Sequence, residues 1–189
     1  VPHLGDVSKP NEISAIVSAA INLDARVQGI VNNAAAAGLA VFPHWAPEQV
    51  EDMWQTNELG PISLVQEAWS HLVPSGGRIV NMSSVAGKSG RPLLAAYAAS
   101  KAAIINLTQS AAQALAPHRI TVNCICPGVV DAPMGESALA QMSKLTADGK
   151  VTQEQSGVPP APLGPTASPE DVARMVAYLA GTGGEYITS

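Results

Sequence analysis

Residues 78–83 read R-I-V-N-M-S, a short apolar run containing β-branched residues that ends on a hydroxyl. Two comparable runs flank it, Q-G-I-V-N-N-A at residues 28–34 and I-T-V-N-C-I-C at residues 120–126. Each reads as a strand buried on both faces, the setting of a parallel sheet. Helical patterns fill the intervals. Ile13, Ile16, Val17, Ala20 and Ile21 form an i, i+3, i+4, i+7, i+8 stripe, with Ser8 and Pro10 at its start. Residues 50–72 keep a helical period, which Gly60-Pro61 is expected to break or bend. Residues 96–116 form a long Ala-rich helical pattern, and a last one opens with S-P-E-D at 168–171 and stops at Gly181. There Ser168 is an N-cap and Pro169 occupies the first helical position. Strands alternating with helices predict one α/β domain over residues 1–189 with a mostly parallel sheet.

Residues 129–167 stand apart, with four Gly and five Pro around Met134, Leu139, Met142 and Leu145. A loop of that length in a compact domain is expected to cover a binding site.

The chain has 189 residues, 47% hydrophobic and 13% charged, which is the composition of a folded domain with a real core. Net charge is −5 and the basic residues are scattered, so nothing points to nucleic acid or an anionic membrane. No apolar run is long enough for a transmembrane span, and V-P-H-L-G-D lacks the regions of a signal peptide. Cys124 and Cys126 are two apart and poorly placed for a disulfide, so they read as reduced core residues of an intracellular, cytoplasmic protein. His3, His44, His71 and His118 show no ligand spacing, and no metal site is expected.

The chemistry-bearing feature is Y-A-A-S-K at residues 97–101, with Ser84 thirteen residues before Tyr97. On a helix, positions i and i+4 share a face, which brings the Lys101 ammonium toward the Tyr97 phenol. A nearby cation favours phenolate, and moving a tyrosine from ~10 to about 7 takes roughly 4 kcal/mol. The product is a general acid/base for an alcohol oxygen. Other polar residues fall at the carboxyl ends of the apolar runs, where open parallel sheets bind ligands. Asn32 and Asn33 follow the first, Ser83 and Ser84 the second, and Pro127-Gly128 the third, while Asn57 lies inside the bent helical segment.

With these residues in place the chain resembles the short-chain dehydrogenase/reductase family. The matching segments are G-D-V at 5–7, N-N-A-A at 32–35, T-N-E-L-G at 56–60 and I-V-N-M-S-S-V-A-G at 79–87. They continue as Y-A-A-S-K at 97–101, N-C-I-C-P-G at 123–128 and E-Y-I-T at 185–188. The resemblance implies a doubly wound, Rossmann-like parallel sheet, and NAD or NADP as cofactor. The implied activity interconverts a secondary alcohol and a ketone. Tyr97 would exchange a proton with the substrate oxygen. Lys101 would lower the tyrosine pKa and hold the nicotinamide ribose. Ser84, rather than Ser83, would hydrogen-bond the carbonyl oxygen, and Asn57 would position a water linking Lys101 to solvent. Asp6 and Val7 would flank the adenine. Asn32, Ala34 and Ala35 would line the adenosine side, with Asn33 structural within the sheet. Pro127, Gly128 and Val130 would border the nicotinamide. Arg91, Leu93, Leu94 and the 129–167 segment would line a pocket for a small or medium alcohol or ketone.

The chain departs from the family pattern in several places. Ala35 stands where the family usually has Gly, and Ala132 stands where it usually has a Thr for the nicotinamide carboxamide. Asp131 is a poor substitute, because its carboxylate would repel the cofactor phosphates. No G-x-x-x-G-x-G turn is present, and Gly181, Gly183 and Gly184 follow a helix rather than a strand. Val1 aligns with the family's third strand, so two βα units of roughly 30 residues each, and a final strand, have no counterpart. The sheet is therefore expected to be incomplete at the N-terminus, and the chain to be part of a longer polypeptide that does not fold well without the rest. The residues that separate NAD from NADP fall in the same segment.

Two other functional classes compete. One is a catalytically silent fragment or relative serving as an oligomer subunit or binding module. The intact Ser84, Tyr97, Lys101 and Asn57 set argues against it, and the missing glycine turn and Ala132 argue for it. The other is a serine hydrolase using Ser84, but no G-x-S-x-G or S-x-x-K motif occurs. The 96–116 helix and the 47–72 segment resemble those forming four-helix interfaces in family homotetramers, so a homotetramer or homodimer is expected.

Overall fold

The computed structural model describes residues 2–24, 27–74, 76–156, 162–164 and 166–189. Its centre is a three-stranded, wholly parallel sheet of β1 (Gly29–Asn32), β2 (Gly77–Met82) and β3 (Ile120–Ile125), in that spatial order. Ile30 pairs with Ile79 and Asn32 with Asn81, while Val80 pairs with Asn123 and Asn81 with Cys124. β1 and β3 lie inside the segments expected from the sequence, and β2 begins one residue earlier than expected. Burial on both faces holds for β2 and the start of β3 but not for β1, where Val31 is 44% exposed. The physical reason is position: among the described residues β1 pairs with β2 alone and is a sheet edge.

Helices cover both faces, as a doubly wound sheet requires. One layer contains α1 (Pro10–Asp24), α3 (Gly60–Leu72) and α4 (Ala95–Leu115). Val17, Ala68, Leu72 and Ala112 from these helices pack on Ile30, Ile79, Ile120 and Val122 as the main core. The other face is crossed by α7 (Pro169–Ala180), which touches all three strands and buries Leu179. Its start follows the sequence expectation, with Ser168 and Asp171 forming a reciprocal capping box and Pro169 in the first turn. At the β3 edge, the Asn123 amide donates to the Ile187 carbonyl at 2.7 Å and the Ser189 N–H to the Val122 carbonyl at 3.1 Å.

The bend expected near Gly60-Pro61 takes a defined form. A helix α2 (Pro47–Trp54) widens into a π-helical turn, Gln55–Leu59, before α3 begins. Pro61 has no N–H to give the carbonyl four residues back, and the Gly60 N–H instead donates to the Gln55 carbonyl. Helical dihedrals persist, so the axis continues while its register shifts.

The expectation of a long loop over residues 129–167 is corrected. Much of that segment is helical, as α5 (Pro133–Ala147) and α6 (Gln153–Ser156). Pro133 sits in the first turn, where a missing N–H costs no hydrogen bond. The two ends of the excursion meet in a parallel bridge between Val130 and Ala167. Met142 packs with Leu93 and Val151 in a second, smaller core that fixes α5. Residues 157–161 and 165 of the segment lie outside the described residues.

Candidate active site

The ends of β2 and β3 are tied together before any site residue is placed. The Ser83 N–H donates to the Ile125 carbonyl at 2.8 Å and the Val85 N–H to the Pro127 carbonyl at 3.0 Å. Ser83 is buried, and its hydroxyl donates to the Lys101 carbonyl at 2.7 Å, so it is a strut between sheet and helix. Ser84 is the N-cap of a short 3-10 turn, Val85–Lys88, where its Oγ accepts from the Ala86 N–H at 3.1 Å. This turn lies directly on α4. A Cβ at Gly87 would come within 2.7 Å of the Lys101 carbonyl carbon, so the close approach needs a glycine.

Helix α4 carries Tyr97 and Lys101 on one face. Lys101 is 3% exposed, and its Nζ donates to the Met82 carbonyl at 2.8 Å while lying 5.7 Å from the centre of the Tyr97 ring. Burial pushes the ammonium down to about 8, opposed by Cys124 and then Glu58. Tyr97 differs from the expectation. Burial raises its phenol above the ordinary value, and the opposing influence is a hydrogen bond from the Ser84 hydroxyl, not the Lys101 charge. The ammonium is directed at the Met82 carbonyl and the ring face, which leaves desolvation as the larger effect on the phenol.

The Asn57 side chain has three protein hydrogen bonds. Its Oδ1 accepts from the Ala36 N–H at 2.8 Å, and its Nδ2 donates to the Ala36 carbonyl at 2.9 Å and to Ser100 Oγ at 3.0 Å. The side chain is committed to protein partners that join the π-helical turn, the chain after β1 and α4. Ser100, which the sequence reasoning passed over, is the link, and its own hydroxyl donates to the Tyr97 carbonyl at 2.8 Å.

Ser84, Tyr97 and Lys101 open on one cleft of about 830 Å³ beyond the carboxyl ends of the strands. Ala35, Pro127, Gly128 and Val130 line the same cleft, as do Arg91, Leu93 and Leu94. Its far walls come from α5 and α7, through Met134, Leu139, Val172 and Val176. Val7, Asn32 and Ala34 fall instead around a shallow depression of about 50 Å³ beside β1. Asn33, expected to be structural within the sheet, is exposed, while Asn32 both borders that depression and is tied into the sheet. The Asn32 amide donates to Asn81 Oδ1 at 2.7 Å across the sheet, and exposed Asn33 borders both cavities. At the end of a strand alternate residues point to opposite faces, and a two-residue motif does not say which faces the cleft. Asp6 lies at neither cavity. Its carboxylate accepts from the Ser8 N–H at 2.9 Å and hydroxyl at 2.7 Å and pairs with Lys9 at 3.2 Å, which holds it below the usual carboxylate range. It belongs to the turn that starts α1.

Cys124 and Cys126 are free and half-buried, and burial pushes the Cys124 thiol up to about 11. Among the described residues no three His, Cys, Asp or Glu side chains come together as a metal site. No helix among them is long and apolar enough to cross a membrane.

The residues present fit the nicotinamide and ribose of a nicotinamide dinucleotide. The Lys101 ammonium spends one N–H on Met82 and keeps two, suited to vicinal hydroxyls. A Cβ at Gly128 would meet nothing within 4 Å, so the wall at Pro127-Gly128 stands open to a flat group.

Comparison with known proteins gives the same direction. The family model for short chain dehydrogenase matches residues 1–143. Galactitol 2-dehydrogenase of Agrobacterium fabrum is 35% identical over 184 residues, covering 96% of this chain and 72% of that protein. The solved structure of NAD+-bound xylitol dehydrogenase superposes with a TM-score of 0.87 at 27% identity, over 98% of this chain and 74% of that one. ElxO with NADP bound superposes with a TM-score of 0.80 at 26% identity, over 97% and 71%.

Proposed function

The chain belongs to the short-chain dehydrogenase family of NAD(P)-dependent oxidoreductases, and we propose that it interconverts a secondary alcohol and a ketone with Tyr97 as general acid/base. The observation that carries this reading is the convergence of Ser84, Tyr97 and Lys101 on a single cleft whose remaining walls are largely apolar. The bound nicotinamide supplies or accepts the hydride. Everything else falls to this chain.

In the direction of ketone reduction, the Ser84 hydroxyl and the Tyr97 phenol hold the substrate oxygen, and the phenol gives that oxygen its proton as negative charge develops. A phenol kept protonated by burial suits that task. Lys101 stabilises the phenolate left behind and offers its two unused N–H groups to the ribose hydroxyls. Asn57 acts by holding the π-helical turn against Ser100, which fixes the part of α4 that carries both groups. Pro127, Gly128 and Val130 border the nicotinamide, with Ala35 on the adenosine side. Val7, Asn32 and Ala34 approach from the neighbouring depression, where Asp6 contributes only through the turn before α1. Helix α5 and the rest of the 129–167 segment cover the substrate. Leu93, Leu94, Met134 and Leu139 suit a small or medium alcohol or ketone, and Arg91 adds one cation to that wall.

We place the protein in the cytoplasm, as a homodimer or homotetramer assembled through α2, α3 and α4. Trp54, Leu59 and Trp69 are 38%, 45% and 36% exposed on that segment, more apolar surface than an isolated helix face needs. Light scattering on the purified chain measures the assembly directly.

The decisive experiment is NAD(P)H absorbance with a panel of small ketones and polyols, run beside Tyr97→Phe. Turnover that falls by about 100-fold or more in the variant, with cofactor affinity retained, supports the reading. Unchanged turnover in Tyr97→Phe overturns it. Failure to bind either nicotinamide cofactor favours a silent binding module.

A further inference from the structure

Arg91 is a cation of the cleft that proton and hydride transfer leave without a task. Its place is fixed by the chain around it. The Leu94 N–H donates to the Arg91 carbonyl at 3.1 Å and the Ala98 N–H to the Leu94 carbonyl at 2.6 Å, so this turn runs directly into the start of α4, where Tyr97 stands. The Ala40 N–H donates to the Leu93 carbonyl at 3.1 Å, and buried Leu93 packs with Met142 and Val151 in the second core. The Arg91 side chain is half-buried and borders the same cleft as Tyr97, with no hydrogen-bond or ion-pair partner among the described residues. Arg78 and Arg174, by contrast, each pair with a carboxylate. A guanidinium has only donors to offer, and beside apolar side chains its charge is less screened than in water. We propose that Arg91 is a specificity-determining residue whose guanidinium receives the carboxylate of an oxo acid, with the ketone at Tyr97 and the intervening chain along the apolar wall.

The charges of the cleft favour an acid over a neutral ketone or a phosphate ester. The chain carries a net −5, yet the charged residues lining this cleft are Arg91, Lys101 and Glu154. Lys101 is tied to the Met82 carbonyl and faces the phenol. Glu154 stands exposed on α6 and forms no ion pair with Arg91. That leaves one cation to meet a single negative charge. A carboxylate matches it, and its two oxygens fit the planar guanidinium fork. A phosphate monoester would bring about two charges and meet Glu154 as well. Leu93, Leu94, Met134 and Leu139 suit an aliphatic chain joining the two polar ends of the substrate. On reduction the carbonyl carbon gains a hydride and its oxygen gains the Tyr97 proton, while the reduced nicotinamide is oxidised. The carboxylate is unchanged, and the product is a hydroxy acid.

The role of Arg91 rests on the oxidoreductase reading, but its test measures binding and needs no turnover. Ligand-observed NMR titrations are run on the full chain with NAD+ or NADP+ present. The probes are acetoacetate, levulinate and their longer homologues, each beside its uncharged amide. The parent is expected to bind at least one acid about 10-fold or more tightly than the matching amide. Arg91→Gln should bring that ratio to about 1 with cofactor affinity retained, and Arg91→Lys, which keeps the charge without the fork, should fall between. Arg91→Ala carries the same expectation as Arg91→Gln and replaces it if the amide variant does not fold. No acid preferred by the parent, or a preference that survives loss of the guanidinium, overturns the proposal. So does a parallel loss of cofactor affinity, which would assign Arg91 to the cofactor phosphates. Tyr97-dependent turnover of ketones without an acid preference sinks this proposal alone. An Arg91-dependent preference in a protein that turns over no ketone would overturn the functional reading and leave the acid subsite standing.

Discussion

Lys101 Nζ donates to the Met82 carbonyl at 2.8 Å, so the ammonium is tethered to the last residue of β2 rather than to the phenol four residues earlier. Two opposed requirements meet there. The tether desolvates the cation, which weakens the protonated form, while the same position lets it face both the Tyr97 ring and a bound ribose.

A pH dependence of stability follows from that burial. Lys101 is lowered to about 8 from an ordinary 10.5, so between those values the unfolded chain binds more protons there than the folded one. Stability is therefore expected to rise with pH between about 8 and 9, by about 1 kcal/mol, and to level off above 9, where the Cys124 thiol, raised from 9.0 to about 11, is lost first from the unfolded chain. Below that range both states are protonated and the full cost of burial is present. Above about pH 10 the raised Tyr97 works the other way, since the unfolded chain loses its phenol proton first. Urea midpoints measured between about pH 7 and pH 9 check the sign; a flat or falling curve over that range contradicts it.

Lys101→Met separates stability from turnover. Removing a buried ammonium is expected to leave stability at neutral pH unchanged or raise it by up to ~2 kcal/mol, while activity is lost. A folded variant with near-parent turnover would show that the ammonium has no part in the reaction.

Asn57→Ala is expected to cost about 2–4 kcal/mol, because it breaks bonds to both backbone groups of Ala36 and leaves an enclosed N–H unanswered. Ser100→Ala removes the staple and the hydroxyl's bond to the Tyr97 carbonyl and should cost about 1–2 kcal/mol. Equal costs in denaturant titrations would mean that the Ala36 bonds carry no special weight.

Two glycines give a contrast that requires no ligand. Gly87→Ala drives a Cβ into the backbone of Lys101 and Ala102 and should destabilise by about 1–3 kcal/mol while displacing Ser84. Gly128→Ala meets nothing within 4 Å and should stay within about 0.5 kcal/mol of the parent. In turnover assays the second variant isolates the effect of filling the open cleft wall.

The short apolar runs, the capped last helix and the i, i+4 spacing of Tyr97 and Lys101 are local features, and each appears where the sequence places it. Periodicity, N-capping and proline chemistry act within a few residues, which is why they can be read from order alone. The fate of residues 129–167 was hidden because Pro133 and Gly135 look like breakers, whereas the first turn of a helix tolerates both. Which asparagine faces the cleft depended on a one-residue register at the end of β1. The direction of the Tyr97 shift depended on how deeply the phenol and its neighbours were desolvated. Asn57's partners depended on a turn widened by Pro61 and pressed against α4. Sequence alone determined the family, the alternation of the three strands with the helices between them, and which residues are proposed to react. Only the tertiary structure decided what each polar atom touches and how far each charge is from water, since both depend on segments far apart in the chain meeting in space.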